Sequence, residues 1–314
     1  MKDWLNWRRS PLRAAFAVAL GAALLVACGS GGDESPTSTA KAGTGTAKAG
    51  TTTTPPATAF PAGSTMAALR TKGEITIGVK YDLPLMGLLD PLTQRVDGFD
   101  IAIGKEIAKA LGIPDNNVKF VEAISANRIP YLQEDKADLI ISTMTINAMR
   151  KEQIDFSRPY FLAGQSILVN QNNTTINSVT DLNGKNVCTA QGSTPEINLR
   201  SSAPQANLLL LTAYSLCVSA LKDGRVEAVS TDDIILAGFA GSDRTLKLVG
   251  GQFTQEPYGI GVKKGKDDLV KFIDAQLAAM YSDGRWDRIY TQYLGQVGGI
   301  APAAEARAKL PATN

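Results

Sequence analysis

Polar side chains recur directly after the predicted strands of this 314-residue chain. The set combines three cations, five aliphatic hydroxyls, one tyrosine and one carboxylate: Lys80, Ser125, Arg128, Thr143, Thr145, Arg150, Ser193, Thr194, Tyr214 and Asp232. In parallel α/β sheets, ligands bind beyond the carboxyl ends of strands, beside helix N-termini. We therefore expect these side chains to line one site that favours an anion, although Ser125 and Asp232 also suit helix N-caps and Lys80 alone suits solvent.

Composition excludes several kinds of chemistry. The sequence contains no histidine, which excludes Ser-His-Asp and Cys-His catalytic sites and histidine-ligated zinc. Its three cysteines are too few for an all-cysteine metal site, and no GxxxxGK[ST] run is present to bind ATP phosphates. The formal net charge is +2, of which residues 1–27 carry +3, so the remainder is at −1. We expect no cofactor, no metal and no nucleic-acid partner.

Strands and helices alternate along the chain from residue 74 onward, which predicts α/β units with mostly parallel sheets. The predicted strands are 74–80, 117–122, 138–142, 185–189, 208–211, 225–230 and 258–262. The predicted helices are 100–111 with Asp100 as its cap, 125–134, a short one opened by Asn147, 194–201, 215–223, 232–239, 267–282 and 286–293.

Two extended segments that contain proline, 157–164 and 254–259, interrupt this alternation. Two such crossings predict two α/β lobes, of which the first is built from both ends of the chain. The expected boundaries are 65–160 plus 257–300 for lobe 1, 161–256 for lobe 2 and 301–314 for a tail. One continuous sheet with two irregular loops is the alternative.

The N-terminus has the features of an export signal. Basic residues up to Arg13 precede an apolar run that is too short to span a bilayer, and the run ends in Leu25-Val26-Ala27-Cys28. This ending resembles the lipobox of bacterial lipoproteins, which implies a signal peptide over 1–27 and a lipid anchor at Cys28; the alternative is an ordinary signal with an incidental cysteine. Residues 28–64 read as a disordered linker, because 31 of the 36 residues at 29–64 are Gly, Ser, Thr, Ala or Pro.

Several motifs, taken in their order and spacing, resemble the family 3 solute-binding proteins of polar amino-acid ABC importers. They are VDGFDIAIGKEIAKALG (96–112), ANRIPYLQ (126–133), ADLIISTMTINAMRKEQIDFSRPYF (137–161), QGST (191–194), ALKDGRVEAVSTDD (220–233) and PYGIGVKKG (257–265). Within the family the chain is most similar to glutamate-binding lipoproteins of high-GC Gram-positive bacteria. The resemblance implies a two-lobed, periplasmic-binding-protein-like (type II) α/β fold with two hinge crossings.

The resemblance also implies roles for single residues. Arg150 would clamp the ligand's α-carboxylate, because a guanidinium meets a carboxylate through two parallel hydrogen bonds. Asp232 would bind the α-ammonium, and Thr143, Thr145, Ser193 and Thr194 would supply hydroxyls and backbone groups. The chain departs from the family pattern at Ala190-Gln191, where a lysine is common.

A charge count then predicts the ligand class. Three cations, Lys80, Arg128 and Arg150, against Asp232 leave the site at +2, which favours an acidic amino acid over a zwitterion. Glutamate or aspartate would present its second carboxylate to Lys80, Ser125 and Arg128. Glutamine or asparagine remains an alternative, because the RIP motif that begins with Arg128 also occurs in relatives that bind neutral ligands, where this arginine would serve only structure.

The resemblance implies capture of the ligand by lobe closure and delivery to the membrane permease of an ABC importer, with the lipid holding the protein outside the cell membrane. A sensor subunit for a membrane signalling partner is a second reading, and a dehydratase on the same fold a third.

Cys188 and Cys217 lie on a predicted strand and helix of the second lobe that could pack together. Outside the membrane, such a pair is expected to form a disulfide, with two separate buried thiols as the alternative.

Overall fold

A computed structural model describes residues 59–298 and 300–311 of the chain. It contains two five-stranded sheets of the same design. The first is ordered β5 (Val118–Glu122), β1 (Ile75–Val79), β6 (Leu139–Ile140), β15 (Gly261–Lys263), β7 (Ile154–Phe156), and the second β11 (Asn207–Leu211), β10 (Asn186–Ala190), β12 (Ala228–Asp232), β9 (Gln165–Asn170), β13 (Leu246–Val249). In each sheet the first three strands run parallel and the fourth is antiparallel to its neighbours. We call the two bodies built on these sheets the first and second lobes.

Helices flank both sheets. Their bounds are α1 (Thr65–Lys72), α2 (Phe99–Leu111), α3 (Arg128–Gln133), α4 (Ala148–Lys151), α5 (Thr194–Ser202), α6 (Tyr214–Lys222), α7 (Asp233–Ser242), α8 (Asp267–Ser282), α9 (Arg285–Leu294) and α10 (Ala303–Ala308), with 3-10 turns at Asp115–Asn117, Ser125–Asn127 and Val179–Leu182. Three short strands, β2 (Asp82–Leu83), β3 (Gly87–Leu89) and β4 (Val96–Asp97), form a small sheet that follows β1. Within 59–298 and 300–311, no helix has the length and apolar character needed to cross a membrane. The predicted signal, Cys28 and most of the predicted linker lie outside the described residues.

The chain passes between the lobes twice, as the two proline-containing segments predicted. The crossing strands β8 (Phe161–Ala163) and β14 (Glu256–Tyr258) pair antiparallel with each other. Their registers place Phe161 opposite Tyr258 and Ala163 opposite Glu256. The two-lobed α/β prediction with two crossings is therefore confirmed.

Aromatic packing fixes the crossing on the first lobe. The ring of Phe99 lies within about 6 Å of the rings of Tyr160, Phe161, Trp286 and Tyr290. The indole of Trp286 also donates a 2.9 Å hydrogen bond to the carbonyl of Tyr160. The start of this crossing is therefore anchored on the first lobe.

Both ends of the described chain pack against the first lobe. Phe60 meets Phe272 of α8 edge to face, with ring centroids 5.4 Å apart. At the other end, the predicted tail contains α10, and Arg307 binds Asp287 of α9 through two hydrogen bonds of 2.8 and 3.1 Å.

Three local predictions were wrong. Residue 258 belongs to β14 rather than to a strand over 258–262, and the following strand begins at Gly261. The predicted helix over 125–134 is a 3-10 turn followed by α3. Gly98, at φ 144°, is the N-cap of α2, and no side chain caps that helix, so Asp100 is not its cap. A side chain at Gly98 would also meet the Met86 carbonyl at 2.4 Å, which reserves the position for glycine.

Cys188 of β10 and Cys217 of α6 form a disulfide in the structure, with their Cα atoms 5.3 Å apart and both side chains fully buried. In the chain-entropy model a loop of this length stabilises the fold by about 3.5 kcal/mol. We expect reduction to lower the free energy of unfolding by that order. Denaturant unfolding with and without reductant would measure the change, and intact mass without reductant shows whether two extra hydrogens are present. Two free thiols would contradict the pairing.

Candidate functional site

The ammonium of Lys80 is buried at the carboxyl end of β1. Its side chain is 2% exposed, and Nζ donates a 2.9 Å hydrogen bond to Oγ of Ser125 in the neighbouring 3-10 turn. The ring of Tyr214, from the second lobe, has its centroid 5.9 Å from Nζ. Burial, and secondarily Arg128, lower the pKa of Lys80 to about 7.

Arg128 is the first residue of α3, and its guanidinium donates hydrogen bonds to backbone carbonyls. Its Nε donates to the carbonyl of Ser125 at 3.2 Å, and Nη1 donates to the carbonyls of Ser142 and Thr143 at 3.0 and 3.1 Å. The side chain is 3% exposed, and burial lowers its pKa. Arg128 thus ties together the two loops that follow β5 and β6, and it adds positive charge beside Lys80.

Arg150 lies in the short helix α4, whose N-cap Asn147 accepts from the Arg150 backbone N–H at 2.9 Å. Its Nη1 donates to the carbonyl of Thr145 at 2.7 Å, and Nη2 reaches the carbonyl of Gly192 in the second lobe at 3.5 Å. Burial, and then Arg128, lower the pKa of Arg150 to about 9. The guanidinium therefore sits between the lobes with donors on both sides.

The turn between β10 and α5 brings the second lobe to the site. Ser193 is the N-cap of α5: its Oγ accepts from the Glu196 N–H at 3.2 Å and donates to the carbonyl of Ala190 at 2.6 Å. Oγ1 of Thr194 donates to Oγ1 of Thr145 in the first lobe at 3.3 Å. These contacts close the site on this side.

Asp232 and Tyr214 complete the second-lobe side. Oδ2 of Asp232 accepts a 2.5 Å hydrogen bond from the hydroxyl of Tyr258 on β14. Among the described residues, its Oδ1 is buried and has no hydrogen-bond partner. Burial, and then Glu256, raise the pKa of Asp232 to about 8, while burial raises that of Tyr214 to about 12. An approaching ammonium would find the unpaired Oδ1 of Asp232 here, and its positive charge would favour the ionised form of that acid.

Thr143 has a strained backbone that a buried acid holds in place. Its φ of 44° lies in the left-handed region, which is unusual for a β-branched residue. The N–H of Thr143 donates to Oδ2 of Asp100 at 2.9 Å, and the hydroxyl of Tyr160 donates to Oδ1 at 2.8 Å. Burial raises the pKa of Asp100 to about 7. Asp100 therefore joins the Thr143 loop to the start of the crossing.

Sequence reasoning missed a second buried acid, Glu256 of β14. Its Oε2 accepts from Oγ1 of Thr145 at 2.6 Å, and its Oε1 accepts from Asn198 and Thr254 at 2.9 and 2.8 Å. An acid inside a proline-containing crossing segment was the available signal. Glu256 orients Thr145, whose carbonyl in turn receives Arg150.

The ten predicted residues are all buried, and the contacts above bring them to the junction of the lobes. Across 59–298 and 300–311, no carboxylate oxygen lies within 4.0 Å of the cations Lys80, Arg128 and Arg150. Taking three cations out of water without counter-ions is costly, and a bound anion reduces that cost. The arrangement can bind a small molecule that carries at least one carboxylate.

A family comparison identifies the kind of protein that has this site. Residues 75–296 match the model of the bacterial extracellular solute-binding proteins, family 3. The chain belongs to this family. The two-lobed fold and the recognition of the family from sequence motifs are thus confirmed.

Curated relatives bind amino acids. The chain is 44% identical over 231 residues to the ABC transporter glutamine-binding protein GlnH of Bacillus subtilis, a match that covers 73% of this chain and 84% of GlnH. It is 34% identical over 245 residues to the glutamate-binding protein GluB of Corynebacterium glutamicum, covering 74% and 83%. These relatives are transport proteins rather than enzymes.

Solved structures of amino-acid-binding proteins are also similar to this chain. An ancestral arginine-binding protein bound to glutamine is 38% identical, with a TM-score of 0.67, over 71% of this chain and 99% of the other. A solute receptor for L-cysteine of Neisseria gonorrhoeae is 32% identical, with a TM-score of 0.72, over 77% and 98%. This family 3 protein is therefore an extracytoplasmic amino-acid solute-binding protein.

Proposed function

We propose that this protein captures an acidic amino acid, glutamate or aspartate, and hands it to the permease of an ABC importer. The observation that carries the proposal is the buried Lys80–Ser125 pair, beside Arg128 and without a carboxylate in ion-pair range among the described residues. A second carboxylate on the ligand would supply that missing counter-charge. The α-carboxylate would lie between Arg150 and the Thr194 turn, and the α-ammonium at Oδ1 of Asp232.

Buried acids make the net charge of the site less positive than the simple charge count suggests. Asp100 and Glu256 lie near the site and were not included in that count. Asp100, however, is held by Tyr160 and Thr143, and Glu256 by Thr145, Asn198 and Thr254, so their oxygens are already engaged. These acids, together with Asp82 and Glu122, reduce the positive excess, but among the described residues none of their oxygens lies within 4.0 Å of the Lys80 ammonium.

Glutamine is the second candidate, and the Bacillus subtilis relative favours it. That relative is named for glutamine and is more similar in sequence than the glutamate-binding relative from Corynebacterium glutamicum. A lysine whose pKa has fallen to about 7 could also donate to a neutral carboxamide oxygen. The two candidates thus differ in the charge that Lys80 must compensate.

Calorimetry on the whole chain with glutamate, aspartate, glutamine and asparagine separates the candidates. We expect an acidic amino acid to bind at least about tenfold more tightly than its amide, because the amide leaves a buried ammonium uncompensated, which corresponds to about 1.4 kcal/mol or more. Tighter binding of glutamine than of glutamate would contradict the proposal.

The variant Lys80→Met checks the cause, since it keeps an unbranched side chain that is one atom shorter and removes its charge. Glutamate should lose much more affinity than glutamine in this variant. Equal losses of affinity for glutamate and glutamine would mean that Lys80 does not discriminate between a charged and a neutral ligand side chain.

Anchoring at the membrane is the remaining part of the proposal. The lipobox at Cys28 and the polar tract after it would tether the folded lobes outside the cell membrane, within reach of the permease. These residues lie outside the described ones, so the anchor is supported by sequence alone. Its consequence is that capture and delivery would occur at the membrane surface.

A further inference from the structure

Helix α6 of the second lobe has its N-terminal cap supplied by the other lobe. Its own N-cap residue is Ala213, which has no side chain able to accept a hydrogen bond. The backbone N–H of Ser215, in the first turn, instead donates to Oδ2 of Asp82 at 3.1 Å. Asp82 begins β2, which follows β1 of the first lobe.

We propose that Asp82 is a closure latch: a carboxylate of the first lobe that caps α6 of the second lobe only when the lobes are together. Helix N-termini leave backbone N–H groups without intrahelical partners and carry partial positive charge. A carboxylate at that point therefore stabilises the helix end. Since donor and acceptor belong to different lobes, this stabilisation belongs to the closed arrangement.

The helix α5 of the same lobe has its N-terminus capped in the ordinary way, by its own N-cap side chain. Its N-cap, Ser193, accepts from the backbone N–H of Glu196 within the same turn, so α5 needs nothing from the first lobe. α6 depends on its partner lobe instead. Opening the site would leave the Ser215 N–H to water and would cost the capping energy.

The latch also positions a residue of the ligand site. Tyr214, the first residue of α6, lies beside the ammonium of Lys80, while Asp82 is two residues from Lys80 along the chain. Fixing the start of α6 against Asp82 thus places the Tyr214 ring over Lys80. This inference rests on amino-acid capture by closure, and it holds for an acidic ligand and for its amide alike.

Ser215→Pro tests the latch from the second lobe. Proline removes the donated N–H and is tolerated in the first turn of a helix. The chain already contains proline at the equivalent position of α5, where Pro195 follows Thr194. We expect the variant to bind the tightest of glutamate, aspartate, glutamine and asparagine about tenfold more weakly by calorimetry, as loss of a helix cap predicts.

Asp82→Ala tests it from the first lobe, and should give a similar loss. Asp82→Asn keeps an acceptor oxygen and should retain part of the affinity, whereas Asp115→Ala, an exposed carboxylate of the same lobe, should bind as the parent does. Small-angle scattering with subsaturating ligand should show a larger mean radius for Ser215→Pro and Asp82→Ala.

Three outcomes would overturn the latch. The first is a Ser215→Pro affinity within twofold of the parent. The second is a loss in Asp82→Ala alone, which would assign the effect to the charge beside Lys80. The third is a lower melting temperature of the unliganded variants with unchanged affinity, which would make Asp82 merely structural. Because the probe is whichever of the four amino acids binds the parent best, failure of the acidic-ligand proposal leaves this test intact.

Discussion

Replacing Arg150 with alanine should weaken binding of the preferred amino acid by about 30-fold to several thousandfold, or about 2–5 kcal/mol. Arg150 is 7% exposed, and its guanidinium lies between the Thr145 carbonyl and the Gly192 carbonyl of the opposite lobe. A ligand carboxylate placed there would receive two parallel hydrogen bonds in a site closed to water. Calorimetry on the whole chain measures the loss.

The unliganded protein should respond differently to this change. Arg150 has no carboxylate within ion-pair distance among the described residues, and its lowered pKa of about 9 reflects the cost of burying its charge. Removing that charge should therefore leave the melting temperature of the unliganded protein near its parent value, despite the lost bond to Thr145. A fall in affinity without a fall in stability is the signature of a ligand clamp.

Two further variants give this prediction its controls. Arg150→Lys keeps the charge but lacks the planar fork, so its affinity should lie between those of the parent and the alanine variant. Arg200→Ala removes an exposed arginine that pairs with Glu196 on α5, and it should bind as the parent does. A loss below tenfold in Arg150→Ala would place the clamp elsewhere.

The place of the candidate residues in the fold could be predicted, because it depends on a general rule of parallel sheets. Lys80 follows β1, Thr143 follows β6, and Ser193 follows β10, so each lies at the carboxyl end of a strand. Hydrophobic periodicity is enough to place those ends in the sequence. What periodicity does not contain is the path of the loops beyond them.

Arg128 is a residue whose role depends on the path of such loops. Sequence reasoning counted it among the cations available to a ligand, with a structural role as the alternative. In the structure its Nε and Nη1 serve three backbone carbonyls, two of which belong to the loop where Thr143 adopts φ 44°. The bend that turns these carbonyls toward Arg128 depends on Asp100, which lies 43 residues from Thr143.

Asp100 was misjudged and Glu256 was missed for the same physical reason. An acid at the start of a predicted helix is most simply a cap, and an acid in a loop is most simply solvated. Asp100 is instead fully buried against Thr143 and Tyr160, and Glu256 is 2% exposed against Thr145. Both bonds join segments far apart in sequence, so local pattern could not reveal them.

Gly238→Ala should raise the stability of the unliganded protein and lower its affinity for ligand. Gly238 lies inside α7, where alanine is favoured over glycine by up to about 1 kcal/mol, or about 2–4 °C in melting temperature for a protein of this size. A Cβ at this position would meet the Pro84 carbonyl oxygen at 2.7 Å, and Pro84 belongs to the first lobe. The added methyl group thus acts only when the lobes are closed.

We expect an affinity loss of at least about tenfold, since a contact of 2.7 Å forces one lobe to shift and overpacking typically costs about 1–3 kcal/mol. Gly241→Ala is the matched control: it lies in the same helix, and a Cβ there would meet nothing within 4 Å. The control should share any gain in stability and keep the parent affinity.

A gain in stability together with a loss of affinity makes this prediction specific to closure of the lobes. If Gly238→Ala bound as tightly as the parent, the Pro84 turn would have to yield at little cost, and the contact of α7 with the first lobe would not limit closure. If stability and affinity fell together, Gly238 would be needed for packing within the second lobe. Only a protein whose binding energy depends on bringing α7 against Pro84 gains stability without ligand and loses affinity with it.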